Sequence, residues 1–352
     1  MSDPKVLPDE RLGGPSRPPL GEDLLPPVEQ PSARFIIQLF VAPALIVIGI
    51  VAVWLLFNWL VRQSTAQPED LIKGLEQGAR VARWQRASEL ADMLRNKRYA
   101  DFKRDNKSAA QLAQILDREI GQGGMEDDDV EFRNFLARAL GEFEVQDGIH
   151  VLLKAATTNR DPREQKVRDA ALQAIARRAY NLQQLDPPQP LEHAELEPTL
   201  EKLAVDDDPA IRMQTAYALS QINSPASIKR LEVMVDDADL DTRANAAIAL
   251  AHRGNGTAVP TLADLLDLDE LTHATKEKNG QVVPSKLVVF VEPAMAAVQT
   301  LARKNSKVDL ALAVAALERL ANADTTKLKE ALVPPRVTSN AQQTLDLLKS
   351  LK

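Results

Sequence analysis

Along Val205 to Leu268 the apolar residues return every three or four positions, and one order of residues comes round twice. From Asp206 the chain reads D-D-D-P-A-I-R-M-Q-T-A-Y-A-L-S-Q-I, and from Asp237 it reads D-A-D-L-D-T-R-A-N-A-A-I-A-L-A-H-R-G. With Arg212 set on Arg243, Ala216 falls on Ala247, Ala218 on Ala249 and Leu219 on Leu250, a period of 31 residues. That is the length of a helical hairpin, far short of a domain. A second amphipathic run follows each copy, Pro225 to Val235 and Val259 to Leu268. So small a unit cannot bury its apolar face alone, and the pattern predicts helix pairs stacked side by side.

The same spacing can be followed outward. Arg168 is followed by Ala171, Ala174 and Ile175, and Arg133 by Leu136, Ala139 and Leu140. A weaker copy starts at Ala294, with Ala297, Thr300 and Leu301. Another starts at Arg83, where Arg86 and Glu89 occupy two of the small positions. The anchors lie 35, 44 and 51 residues apart outside the clear pair, so insertions interrupt the array at 183–198 and 269–291. The first holds Pro187, Pro188, Pro190 and Pro198, which predicts a stiff loop. The second ends in Val282 to Val291, a valine-rich run with strand propensity, where Pro284-Ser285 offers the turn of a short hairpin. Such an element would either bind a partner or cover a repeat face. Helices over Val308 to Ala321 and Asn340 to Leu351 are expected to cap the stack.

A different pattern comes earlier. Phe35 to Val61 has no charged residue in 27 positions, more than the ~20 that a hydrocarbon core requires. Arg34 and Arg62 bracket it, and Trp54 and Trp59 lie near one end, where interfacial aromatics collect. A cleaved signal peptide would have a shorter apolar core and a shorter leader than residues 1–34. The stretch therefore reads as a retained single anchor. Residues 1–34 hold eight prolines and no apolar period, which predicts a disordered tail, either a spacer or a ligand for a proline-binding groove. Basic residues near the two ends of the anchor are nearly balanced. The expectation is tail inside and the large domain outside, because translocating a tail first is the less common arrangement. Residues 62–125 read as juxtamembrane helices with a degenerate first repeat, and 126–352 as the solenoid. Between Leu71 and Lys107 basic residues outnumber acids, which suits either anionic headgroups or a solvated helix face.

Composition narrows the chemistry. The chain has no cysteine, which removes disulfides, zinc thiolates and thiol nucleophiles. Its net charge of −7 gives no general reason to bind nucleic acid. His150, His193, His252 and His273 show no metal-ligand spacing, so neither a metal nor another cofactor is expected. The acidic runs Asp127 to Asp129 and Asp206 to Asp208 lack a calcium loop's pattern and precede helices, where carboxylates favour the positive dipole end. Gly121-Gln122-Gly123-Gly124 lacks a phosphate loop's lysine. No catalytic constellation emerges, and no enzyme is expected.

The residues D-D-P-A-I-R-x-x-x-A-x-A-L at Asp207 to Leu219, and T-R-A-N-A-A-I-A-L at Thr242 to Leu250, resemble the short bacterial HEAT repeats of the bilin-lyase-like group. The resemblance implies an all-α, curved, right-handed superhelix of antiparallel helix pairs. It also implies binding through an inner surface lined by second helices. On those helices Lys154, Lys202, Lys229, Arg230, Glu232 and Asp264 become the candidate partner-binding residues. Arg168, Arg212 and Arg243, on one ridge, are expected to bridge to aspartates or carbonyls of a neighbouring repeat. The expected function is a membrane-anchored scaffold for a protein or peptide. The alternatives are an accessory subunit of a transport-type membrane complex and, from the lyase-like resemblance alone, a chromophore-handling enzyme.

Overall fold

The computed structural model describes residues 32–63, 67–77, 79–274, 284–323 and 335–351, and every regular element among them is helical. The chain divides into two units, Met1–Thr65 and Ala66–Lys352. In the first, α1 (Ala33–Gln63) overruns the uncharged stretch by two residues at each end and carries Pro43 within it. Its segment Ile37–Phe57, 21 residues long, is long and apolar enough to cross a membrane, and none of it is buried within the protein. The expected disordered tail, up to residue 31, lies outside the described residues.

The second unit begins with α2 (Pro68–Gly74), α3 (Arg80–Leu94), α4 (Ala100–Lys103) and α5 (Asn106–Gln122). It continues through α6 (Asp127–Gly141), α7 (Ile149–Thr157), α8 (Gln165–Gln183), α9 (Leu196–Leu203) and α10 (Pro209–Gln221). Then come α11 (Pro225–Met234), α12 (Leu240–Ala251), α13 (Val259–Asp264) and α14 (Leu268–Ala274). It ends with α15 (Pro284–Lys304), α16 (Ala311–Ala321) and α17 (Pro335–Ser350). The first helices α3, α6, α8, α10, α12 and α15 pack successively on one another, and the second helices α5, α7, α9 and α11 form the other layer. α17 lies against α15 and α16 and closes the end.

Caps fix where these helices begin. Asp208 accepts from the Ala210 amide at 2.9 Å with Pro209 at the first helical position, and Asp239 accepts from the Thr242 amide at 2.8 Å. Ser224 and Ser227 form a reciprocal capping box at the start of α11.

The motif arginines then tie pairs together. Each donates to carbonyls just behind it, at the exposed end of the preceding second helix: Arg83 to Leu75 at 2.8 Å, Arg133 to Gly124 at 2.7 Å, Arg168 to Ala156 at 3.0 Å. Arg212 donates to Asp206 at 2.9 Å and Arg243 to Asp237 at 2.7 Å. Arg212 also grips the Asp237 carboxylate through two bonds of 2.8 and 2.9 Å, and Arg168 pairs with Asp206.

One expectation is corrected here. The valine run is no hairpin, because α15 starts at Pro284. Leu287, Phe290, Val291, Ala294, Met295 and Val298 are buried at spacings of three and four, while Val289 is 64% exposed. Burial at the helical period overrides the strand propensity of valine. The remainder of that insertion, 275–283, lies outside the described residues. The proline loop at 183–198 is held against the preceding repeat. Gln146 Nε2 donates to the Pro190 carbonyl at 2.8 Å, and its Oε1 accepts from the Glu192 amide at 3.1 Å.

Two predictions follow from the packing. A Cβ on Gly141 would lie 2.6 Å from the Ala174 Cα, so α6 and α8 meet at backbone distance. Gly141→Ala is expected to destabilise the unit by about 1–3 kcal/mol, read as a lower melting temperature by circular dichroism. An unchanged melting temperature would contradict this close approach. At Asp237, burial pushes the carboxyl up, but hydrogen bonds from Arg212 and from the Asp239 amide outweigh it and hold it below its ordinary value. Its stabilisation is therefore present above the unfolded value of about 3.9 and is lost as pH falls through the lower folded value. Asp237→Asn is expected to cost about 1–3 kcal/mol at neutral pH. Its remaining stability should fall less steeply below about pH 4 than that of the parent, measured by urea unfolding across pH.

Candidate functional site

The first helices owe their close packing to small residues. Ala139, Ala171, Ala174, Ala216, Ala218, Ala246, Ala247 and Ala249 are all buried, whereas the second helices bring leucine, isoleucine and methionine to the core. A groove of about 360 Å³ runs across this first-helix layer.

Five successive first helices or their ends line this groove. Seven of its lining residues lie two, five or nine places after a motif arginine. Gln214 and Asn245 come from the first set, Arg138, Gln173 and Tyr217 from the second, Glu142 and Arg177 from the third. Arg95 at the end of α3 completes the charged part. The Glu142 side chain is only 10% exposed, while Arg95 and Arg177 are about half exposed at 49% and 51% and stand 3.8 and 3.5 Å from its Oε1. Those distances are ion pairs longer than a good hydrogen bond.

Arg138 has no carboxylate within ion-pair range among the described residues. Its guanidinium lies 5.4 Å from the centre of the Phe135 ring, which stacks on Trp84 at 6.0 Å. Gln173 donates to Asp169 at 2.9 Å. Burial and the nearby Asp208 charge push the Asp169 carboxyl up, against the hydrogen bonds from Gln173 and Gln214. The groove lining thus carries three guanidiniums against one carboxylate, in a chain whose net charge is −7.

The sequence-derived candidates lie on the other layer, and the structure does not gather them into one site. Lys154 pairs with Asp117 at 2.6 Å, Arg230 with Glu201, and Glu232 accepts from Asn255 at 2.7 Å. Lys202, Lys229 and Asp264 are exposed. The groove thus lies on the layer of first helices, whereas the resemblance pointed to the layer of second helices. The signal that could have found it was present in the sequence: polar residues recurring at fixed offsets from the arginine, on helices otherwise apolar.

The motif arginines are occupied by carbonyls and aspartates, as their ridge position implied. A larger recess of about 1060 Å³ lies between the proline loop and the end of α10, with Leu191, Leu196 and Ile222 in its wall. It carries no charge cluster comparable to the groove. Among the described residues no group of three or more His, Cys, Asp or Glu could hold a metal ion.

Comparison with known proteins bears on the fold. The family described as HEAT repeats matches residues 164–241. No curated protein matches. Among solved structures, an engineered protein shares 18% identity, with 82% of this chain and 98% of that one covered and a TM-score of 0.34. Human deoxyhypusine hydroxylase, in complex with glycerol, shares 16% identity, with 80% and 84% covered and a TM-score of 0.29. The all-α second unit is thus a helical-repeat structure that carries HEAT repeats at residues 164–241.

Proposed function

We propose that the protein is a membrane-anchored helical-repeat scaffold that docks a segment of a partner protein in the first-helix groove. The observation that carries this reading is the register of the groove. Exposed polar side chains from successive repeats line one continuous surface, while the apolar positions of the same helices are consumed in packing. A lining contributed piecemeal by repeats suits an extended chain, which meets one repeat after another. The uncharged core of α1, long enough to cross a membrane, supports the anchor. In this proposal the tail lies inside and the repeat unit outside, since translocating a tail first is the less common arrangement.

Two experiments test the two halves of the reading. The chain has no native cysteine, so Ser306→Cys, in an exposed turn, gives a single label site. An impermeant maleimide should label it in intact cells or spheroplasts. Labelling only after lysis would reverse the orientation and favour an accessory subunit of a membrane complex facing the cytoplasm. For docking, a photo-crosslinking residue at Gln173 should capture a discrete partner in native membranes, while the same residue at Lys229, on the second layer, should not. Capture from Lys229 alone would sink the groove assignment.

A further inference from the structure

We infer that the groove selects an acidic segment of the partner, whose carboxylates pair with Arg138 and take over from Glu142 at Arg177 and Arg95. The inference deepens the docking reading and rests on it.

Glu142 is the only carboxylate in the groove lining, and it is shared between two guanidiniums at 3.5 and 3.8 Å. Neither contact reaches hydrogen-bond length; Arg95 also donates to the exposed Asp92 at 3.3 Å, while Arg177 keeps most of its donors for a ligand. Arg138 is held in place by the Phe135 ring rather than by an acid, which leaves its charge unneutralised and its orientation fixed. Asp169, on the wall beside Gln173, is taken up by amide hydrogen bonds and faces away from this charge balance.

Three guanidinium forks beside Ala174 and Tyr217 match carboxylates, which accept two parallel N–H bonds from each fork. Gln214 and Asn245, one repeat apart, lie farther along the same groove and can hydrogen-bond a peptide main chain running past the arginines. A long polyanion such as nucleic acid fits less well, because the chain as a whole is negative and the positive charge is confined to one short groove.

The test uses the full-length protein in detergent micelles and fluorescein-labelled octapeptides of glutamate and of glutamine, read by fluorescence anisotropy. The glutamate peptide should bind at least about tenfold more tightly. Arg138→Gln breaks no ion pair and keeps the fold, and it should weaken glutamate binding by about threefold. Glu142→Gln should strengthen it, because Arg177 loses its internal partner and Arg95 keeps only the exposed Asp92. Equal binding of the two peptides, or no gain from Glu142→Gln, would overturn the acidic preference. So would inorganic phosphate displacing the glutamate peptide at millimolar concentration, which would assign the groove to phosphate ligands instead. A groove that captures its partner from Gln173 yet shows no charge preference loses this inference alone. A groove that binds glutamate peptide but captures nothing from Gln173 loses the docking reading.

Discussion

Every helix ends with carbonyls that no amide in its own backbone can reach, and a stack of short helices puts many such ends inside the protein. Leaving one unpaired costs about 1–3 kcal/mol, so the array depends on a donor arriving at each end. Here the donor is arginine in two registers. The motif arginine closes the second helix behind it, as Arg133 does at Gly124 and Arg243 at Asp237. A cation ten places later closes the first helix of the previous repeat. Arg178 reaches the Leu140 and Asp147 carbonyls, Arg253 those of Leu219, Ser220 and Ile222, and Lys304 that of His252. Arginine suits this role because its planar fork serves several acceptors at once and stays charged. Arg178 shows the extreme case. Burial pushes it down to about 9, against the attraction of the nearby Asp147 charge.

The same constraint produces the groove. With the arginines fixed at repeat spacing, the alanines three to seven places later must face the neighbouring first helix, and the layers close on small side chains. Gly141 against Ala174 is the tightest of these approaches. Of the positions left over, Arg138, Glu142, Gln173, Arg177, Gln214, Tyr217 and Asn245 line the groove, so groove and structural ladder share one helix register.

How much of this was legible depends on how far apart the interacting residues are. The motif arginine lies within about a dozen residues of its carbonyls, so its offset from the aspartates already marks it as structural. Arg178 and Arg253 reach across a whole repeat, to partners 31–38 residues away. Nothing local distinguishes them from surface arginines. The first-helix groove is a collective outcome of side-chain volume over many helices, whereas the second-helix candidates came from the resemblance alone. The valines before Ala294 misled for the opposite reason. Their propensity is local, but the period of their burial is set by the helices they meet. The uncharged core of α1 was legible throughout, since the absence of charge over so long a stretch needs no tertiary context.

The electrostatics of the groove follow from length scales. The chain is net negative, and a distant acidic segment would meet repulsion rather than attraction. At physiological ionic strength that repulsion is screened beyond about 8 Å, so what decides is the charge met at contact. There the arginines outnumber the carboxylate, and part of their exposure is already dehydrated by Ala174 and the Phe135 ring. A weak field outside and a strong local one inside favour selection after encounter over steering before it. A membrane anchor complements such a site, because confinement to the same surface supplies the encounters that long-range attraction does not.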